Sequence, residues 1–464
     1  MTIKQFAFPI KSANINLDNY VGRLCIDSRE IRTGDTFVAQ KGMTVDGHLF
    51  AAKAVQAGAS LVIAQRPLDD DIPHIVLDEP FPSLAEMASR YYDYPSRKLK
   101  MVGVTGTNGK TTVTHILYEL TTRLGHKCGL IGTNRVRIGD EDLPTERTTP
   151  DAQRLQENLD KMVKAGCGYC FMEVSSHALD LGRVEGIQYD IAVFTNLSQD
   201  HLDYHNTMEN YYQAKRKLFD MCDLAIVNTG DSHGKRLFDE LVIPKTAFET
   251  AKDIELNADF VRFRVGDSYI IWRTPGVYSV ENALAALTCC KAMGFTTEKI
   301  AGTFEKIPPV KGRMEPVAYK NGVTVLIDYA HSPDALKNAL SNAREFTEGR
   351  LICVVGCGGN RDKDKRPQMG EIASTLADIA VITSDNPRFE DPESIITDIL
   401  TGCKGSNHTA ITDRRTAIAH ALNTAKSGDV IMLCGKGHET YQEINGQKHH
   451  MDEREIVSQC ITVC

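Results

Sequence analysis

The chain is predicted to fold as an α/β protein of three domains: a small mixed α/β N-domain (residues 1–97), a central P-loop-like parallel-sheet domain (98–310) and a C-terminal Rossmann-like domain (311–464). Three observations lead there. From the central region onward, apolar runs suited to buried strands alternate with helical patterns, which implies a largely parallel sheet covered on both faces. A glycine-rich loop stands between one such run and a helix. The segment Ile307-Pro308-Pro309-Val310-Lys311-Gly312 then breaks the pattern before a second α/β set begins.

Bulk properties narrow the class. A chain of 464 residues suits roughly two to four domains. With 42% hydrophobic and 25% charged residues it can bury sizeable cores and stay soluble. The formal net charge is −8 and no long basic run occurs, which argues against a nucleic-acid partner. No apolar stretch is long enough to span a bilayer, and Met1 to Ile10 lacks the core of a signal peptide. A cytoplasmic protein without membrane insertion is expected. The 13 cysteines read as free thiols in that compartment. Cys167 and Cys170 form one C-x-x-C, without the second pair of a zinc site or the setting of a redox motif.

In chain order, short strands are predicted at Phe37–Ala39, Leu61–Ala64 and Ile75–Leu77. A helix through Leu84, Met87, Ala88 and Tyr91 follows, with Ser83 as its N-cap, and Tyr94–Arg97 reads as a linker. The run ending at Val104 leads into Gly106-Thr107-Asn108-Gly109-Lys110-Thr111-Thr112. After it, Val113, Ile116, Leu117, Leu120 and Leu124 mark a helix. Glycines let the backbone wrap phosphates, and a helix N-terminus offers N–H groups and a positive dipole end. Lys110 would offset phosphate charge, and the Thr111 hydroxyl would face a magnesium ion. The spacing departs from G-x-x-x-x-G-K-[ST], since Val104 falls where the first glycine belongs.

Further strands are predicted at Tyr169–Met172, Ile191–Phe194, Leu224–Val227, Val325–Ile327, Leu351–Val355, Ile379–Thr383 and Val430–Leu433. Polar or glycine-rich sequence follows each of several runs, where open α/β sheets place ligands. Glu173 is either a magnesium-facing carboxylate or a capping acid. The loop from Asn196 to His205 collects Asp200, His201, Asp203 and His205, a metal or acid/base site or a solvated loop. Lys215, Arg216 and Lys217 form the basic face of a helix. Arg361 and Arg388 lie after strands, suited to gripping a carboxylate or phosphate in a two-bond fork. Gly435-Lys436-Gly437-His438-Glu439 adds a carboxylate able to pair with an ammonium group.

Taken together, the chain resembles the Mur ligase family of peptidoglycan-building amide synthetases along essentially its whole length. The resemblance is carried by CIDSRE (Cys25–Glu30), VTGTNGKTT (Val104–Thr112), TTP (Thr148–Pro150), EVSSHAL (Glu173–Leu179), NLSQDHLDYH (Asn196–His205), AKRKLF (Ala214–Phe219), IDYAHSP (Ile327–Pro333), GCGGNRDKDKRP (Gly356–Pro367), SDNPR (Ser384–Arg388) and GKGHE (Gly435–Glu439).

It implies an ATP-dependent amide-bond ligase that adds meso-diaminopimelate to UDP-MurNAc-L-alanyl-D-glutamate through an acyl phosphate, with ATP and Mg2+, as a monomer. The phosphate loop with Asn282, Arg313, Asp328 and His331 would bind ATP. Thr111, Glu173, His201 and a carbamylated Lys215 would organise magnesium. With Lys110, the last three would be the catalytic set. Ile26, Ser28, Met43, Thr44, Val45, Thr148, Thr149, Ser175 and Arg183 would hold the nucleotide sugar; Arg147 stands where many relatives have asparagine. Arg361, Asp385, Asn386, Pro387, Arg388, Gly435 and Glu439 would hold the amino acid, and Asp-Asn-Pro-Arg marks the diaminopimelate-adding branch. Arg388 could pair with the distal carboxylate that lysine lacks. Closure of the C-terminal domain about residues 308–312 would exclude water from the acyl phosphate. Asp385–Arg388 and Asp27-Ser28-Arg29 speak against a lysine-adding relative or a folylpolyglutamate synthetase cousin. Intact Lys110, Glu173, His201 and Lys215 speak against a nucleotide-binding scaffold that has lost catalysis.

Overall fold

A computed structural model describes residues 1–6, 8–41, 45–78, 82–145 and 147–463. The chain divides into two compact units. One comprises Met1–Thr105, His126–Ala192 and Glu209–Ala225; the other comprises Gly106–Gly125, Val193–Met208 and Ile226–Cys464.

The N-terminal sheet has the strand order Ile10–Ala13, His74–Leu77, Leu61–Ala64, Thr36–Ala39, Leu24–Cys25. Only the first pairing is antiparallel. Alternation along Thr36–Ala39 sends Val38 to one face and Phe37 and Ala39 to the other. Val38 packs with Ile63, Ile75, Met87 and Ala88, beneath helix Leu84–Tyr91. Phe37 and Ala39 pack with Val62, Ala51 and Ala54, beneath helix Ala51–Gln56. Ser83 caps the former helix as predicted, accepting the Glu86 N–H at 3.2 Å.

The eight-stranded sheet runs Lys245–Ala247, Cys222–Val227, Tyr189–Phe194, Lys100–Thr105, Tyr169–Glu173, Cys128–Ile131, Val136–Ile138, Glu141–Leu143. Tyr169–Glu173 is parallel to both its neighbours, and the last three strands form an antiparallel meander. A six-stranded sheet has the order Glu315–Lys320, Val323–Asp328, Val430–Cys434, Leu351–Val355, Ile379–Ile382, His408–Ala410. Its first strand is antiparallel and the others are parallel. Apolar clusters cover both of its faces, so its central strands are apolar throughout.

Because Asp328, Cys434, Val355 and Ile382 end adjacent parallel strands, the loops that follow them gather along one edge. The antiparallel pieces not expected include Lys252–Leu256 with Val261–Val265 and Ser268–Trp272, the hairpin Tyr441–Ile444/Gln447–His450, and the strands Val136–Ile138, Glu141–Leu143 and Glu315–Lys320. No helix among the described residues is long and apolar enough to cross a membrane.

Candidate active site

The phosphate loop leads into helix Lys110–Arg123, as expected. Its N-cap Gly109 has φ +86, a conformation that favours glycine. A Cβ there would stand 2.4 Å from Asn282 Oδ1, so Asn282 lies against the loop. Gly109→Ala is therefore expected to displace Asn282, to cost about 1 kcal/mol of stability and, on the expectation that both bind ATP, to raise KM for ATP about tenfold. Initial rates against ATP and a thermal melt check this; an unchanged KM would mean that Asn282 plays no part in nucleotide binding.

The loop is tied to the segment that follows Phe194. Thr107 N–H donates to the Asn196 carbonyl (2.8 Å), and Asn108 N–H donates to Asn196 Oδ1 (3.0 Å). Thr195 Oγ1 donates to the Asn108 carbonyl (2.6 Å), and Ser198 N–H donates to Thr107 Oγ1 (3.0 Å). Lys110 Nζ folds back onto the Gly106 and Thr107 carbonyls at 2.8 and 2.7 Å. Thr111 and Thr112 are buried in the first helical turn. His201, half-exposed, sits in the left-handed region at φ +53, with Nε2 3.5 Å from Asp200 Oδ2. A non-glycine residue in that region is strained, a feature that concentrates at functional sites.

Arg313, Asp328 and His331 come together around Tyr329. The Arg313 guanidinium lies over the Tyr329 ring at 5.0 Å, and the His331 ring centroid is 4.7 Å from that ring. Asp328 accepts the Met314 and Ala330 N–H groups at 2.8 and 2.9 Å. Burial raises the pKa of its carboxyl, against the pull of Arg313 and those two N–H groups. Gly312, at φ +70, is pressed against the next loop: a Cβ would stand 2.3 Å from the His438 nitrogen.

The loops at the carboxyl edge of the six-stranded sheet assemble the predicted amino-acid residues. Asn386 Nδ2 donates to Glu439 Oε2 at 2.9 Å. Gly435, at φ +114, lies so near Asp385 that a Cβ would stand 2.7 Å from its Oδ2. Arg388 and Arg361 flank Gly358, whose added Cβ would meet Arg388 Nη1 at 2.9 Å and Arg361 Cγ at 4.0 Å. The Pro387 carbonyl abuts Gly359, 2.0 Å from where a Cβ would stand. Arg388 Nη1 donates to the Gly359 carbonyl at 2.7 Å, and its Nε is 3.3 Å from Glu443 Oε2.

Two devices absent from the predicted set hold these loops. Arg366, fully buried, pairs with Glu390 at 3.0 Å and Asp398 at 2.9 Å. Arg366 and the Asn360 N–H together hold the Glu390 carboxyl down to about 2. Loops 356–361 and 385–390 are thereby clamped to each other. Arg388 itself has φ +53 and is bridged to the hairpin strand Tyr441–Ile444. Its N–H donates to the Glu443 carbonyl (3.0 Å), and its carbonyl accepts the Asn445 N–H (2.6 Å).

In the other unit, Glu173 is the hub. Thr133 donates to both of its carboxylate oxygens, N–H to Oε1 at 2.7 Å and Oγ1 to Oε2 at 3.1 Å. Thr133 Oγ1 also lies 3.0 Å from Thr148 Oγ1, within hydrogen-bond distance. Thr149 Oγ1 donates to the Glu173 carbonyl (2.8 Å) and accepts the Ser175 N–H (3.1 Å). Arg183 Nη1 reaches the Thr149 carbonyl at 3.4 Å. Thr148, Thr149, Glu173, Ser175 and Arg183 thus form one polar cluster, and Thr133 belongs to it although no motif marks it. Ser28 is buried, while Ile26 and Val45 are exposed. Met43 and Thr44 lie outside the described residues. Lys215 is buried on helix Met208–Arg216, its Nζ 4.5 Å from the Tyr211 ring centroid.

Three family models match in series: the Mur ligase family catalytic domain over residues 21–93, the Mur ligase middle domain over 104–290 and the Mur ligase glutamate ligase domain over 312–437. The UDP-N-acetylmuramoyl-L-alanyl-D-glutamate–2,6-diaminopimelate ligase of Bacillus cereus is 43% identical over 456 residues, covering 94% of this chain and 93% of that protein. The chain belongs to the Mur ligase family. Mur ligases are ATP-dependent ligases, and so is this chain. A solved structure of a UDP-N-acetylmuramoyl-L-alanyl-D-glutamate–2,6-diaminopimelate ligase matches with a TM-score of 0.71 at 31% identity, covering 100% of this chain and 99% of that one. A MurF ligase from Thermotoga maritima, solved in complex with ADP, shares the fold with a TM-score of 0.61 at 20% identity, covering 90% of this chain and 94% of that one.

Proposed function

We propose that this Mur ligase joins meso-diaminopimelate to the D-glutamate side-chain carboxylate of UDP-MurNAc-L-alanyl-D-glutamate at the expense of ATP, as a cytoplasmic monomer built of domains 1–97, 98–310 and 311–464. One observation carries the choice of amino acid. Asp385 and Glu439 carboxylates stand beside the Asn386 amide and the Arg388 guanidinium on one loop edge. Such a site suits an end group bearing both an ammonium and a carboxylate, which is the distal end of diaminopimelate. Lysine would offer the guanidinium no carboxylate and would bring two cations together.

The chemistry follows from the side chains. The substrate carboxylate attacks the γ-phosphorus of ATP, forming an acyl phosphate and releasing ADP. Lys110 and the N–H groups of residues 106–112 offset the charge spread over the transferring phosphoryl. Asn282, Arg313, Asp328 and His331 bind the remainder of the nucleotide. Ile26, Ser28, Met43, Thr44, Val45, Thr148, Thr149, Ser175 and Arg183 hold the UDP-linked dipeptide. The neutral amine of diaminopimelate then attacks the acyl carbon, and inorganic phosphate leaves. Arg361, Asp385, Asn386, Pro387, Arg388, Gly435 and Glu439 orient that amine. Much of the rate comes from holding three charged reactants in register.

Thr111, Glu173 and His201 would hold Mg2+. Oxygen donors from Thr111 and Glu173 suit so hard an ion. No group of three or more His, Cys, Asp or Glu is gathered to hold a metal among the described residues. The ion would supply charge neutralisation at the phosphates. Lys215 fits that set only after carbamylation, which turns a buried cation into a carboxylate.

The deciding experiment measures phosphate release from ATP and the UDP-dipeptide with meso-diaminopimelate or L-lysine. Release with diaminopimelate at more than about a hundredfold higher kcat/KM is expected. Equal use of lysine, or no amino-acid-dependent release, overturns the proposal.

A further inference from the structure

Lys436 follows the last central strand and is fully buried, with none of its surface exposed. Its Nζ donates to Asn386 Oδ1 at 3.0 Å and to Glu439 Oε2 at 3.1 Å, and lies 5.6 Å from the centroid of the Tyr441 ring. A buried ammonium is costly to desolvate, so its two partners define what it does. Asn386 Oδ1 also accepts the Glu443 N–H at 2.9 Å. Two donors on one carbonyl oxygen fill its lone pairs and fix which end of the amide is oxygen.

Asn386 Nδ2 is then obliged to face Glu439, where it donates at 2.9 Å, and keeps one hydrogen for a ligand. Glu439 Oε2 receives both Asn386 and Lys436, which leaves Oε1 for a ligand ammonium. Asn386 can therefore only donate at this site, and Glu439 can only accept.

We propose that Lys436 is a positioning residue for the amine substrate: without touching it, its ammonium sets the donor–acceptor polarity of Asn386 and Glu439. This rests on the proposed assignment of that loop edge to the incoming amino acid. Burial separates the role from binding, because a side chain with no exposed surface meets no ligand directly.

The test compares KM for diaminopimelate, ATP and the UDP-dipeptide in wild type and Lys436→Met. KM for diaminopimelate is expected to rise at least about tenfold, with the other two within about twofold, as for a lost charged hydrogen bond. An unchanged value, or three KM values rising together, overturns the proposal. Should Lys436→Met fold poorly, a cycle of Lys436→Gln with Asn386→Ala decides. The two effects on that KM are expected to be less than additive, since one residue acts through the other. Additive effects overturn it. If the wild type ignores diaminopimelate but uses another amino acid, the acceptor assignment fails; the same KM comparison with that amino acid then tests Lys436 on its own.

Discussion

Replacing Lys110 with alanine is expected to lower kcat for phosphate release by about 10²–10³-fold, the usual effect of removing one preorganised charge from a transferring group. Lys110 Nζ bonds to two carbonyls of its own loop, Gly106 and Thr107. The same ammonium thus shapes the loop and, on the proposed function, would exchange those carbonyls for phosphate oxygens. Lys110→Ala removes both contributions. Lys110→Arg keeps the charge, but its larger planar guanidinium does not reproduce the compact ammonium that sits 2.8 and 2.7 Å from the Gly106 and Thr107 carbonyls, so little rescue is expected. Rates under saturating ATP, with a melting curve to verify folding, decide the matter. Turnover within about threefold of wild type in Lys110→Ala would remove Lys110 from the reaction and with it the phosphate-binding role proposed for the loop.

The second large effect concerns selectivity. Arg388→Ala is expected to lower kcat/KM for meso-diaminopimelate by about 10²–10³-fold, the scale of a lost two-bond pairing between guanidinium and carboxylate. L-Lysine, which has no distal carboxylate, should be affected far less, so the ratio between the two amino acids collapses. Parallel kinetics with both substrates check this. A uniform loss on both would show that Arg388 serves only the fold. Its position argues otherwise, because its backbone is held at φ +53 by bonds to the hairpin while its side chain faces the Gly358–Gly359 turn. Strain of this kind persists only where the surroundings enforce it.

Much of the fold is legible in the sequence. Strands Leu61–Ala64 and Leu351–Val355 match their expected limits, because fully buried parallel strands are unbroken apolar runs. Others begin earlier than expected. Strand Tyr189–Phe194 starts with Tyr189 and Asp190, and the Asp190 side chain accepts the Met101 N–H at 2.7 Å. Tertiary contacts, not hydrophobicity, set that end. The antiparallel strands Lys252–Leu256, Val261–Val265 and Ser268–Trp272 escape sequence patterning because charged residues interrupt the first two and their pairing is tertiary information.

The same division applies to the site. Candidate residues at or just beyond the ends of apolar runs are recognisable one by one: Lys110, Glu173, Asp385, Asn386, Arg388 and Glu439. Their supports are not. Thr133 is an ordinary threonine until Glu173 is found 2.7 Å away. Arg366 and Lys436 resemble surface cations in sequence, and only burial with acid partners distinguishes them. Glu443 lies on a short polar hairpin whose partner is a loop far upstream.

That hairpin has a practical consequence for redesign. The conformation of Arg388 is completed by main-chain bonds from residues 443 and 445, and Asn386 is oriented by the amide of residue 443. Side-chain swaps at 385–388 alone would leave the older backbone frame in place. An attempt to graft the acceptor preference of another ligase would have to carry both segments as a paired cassette, since each supplies half of one surface.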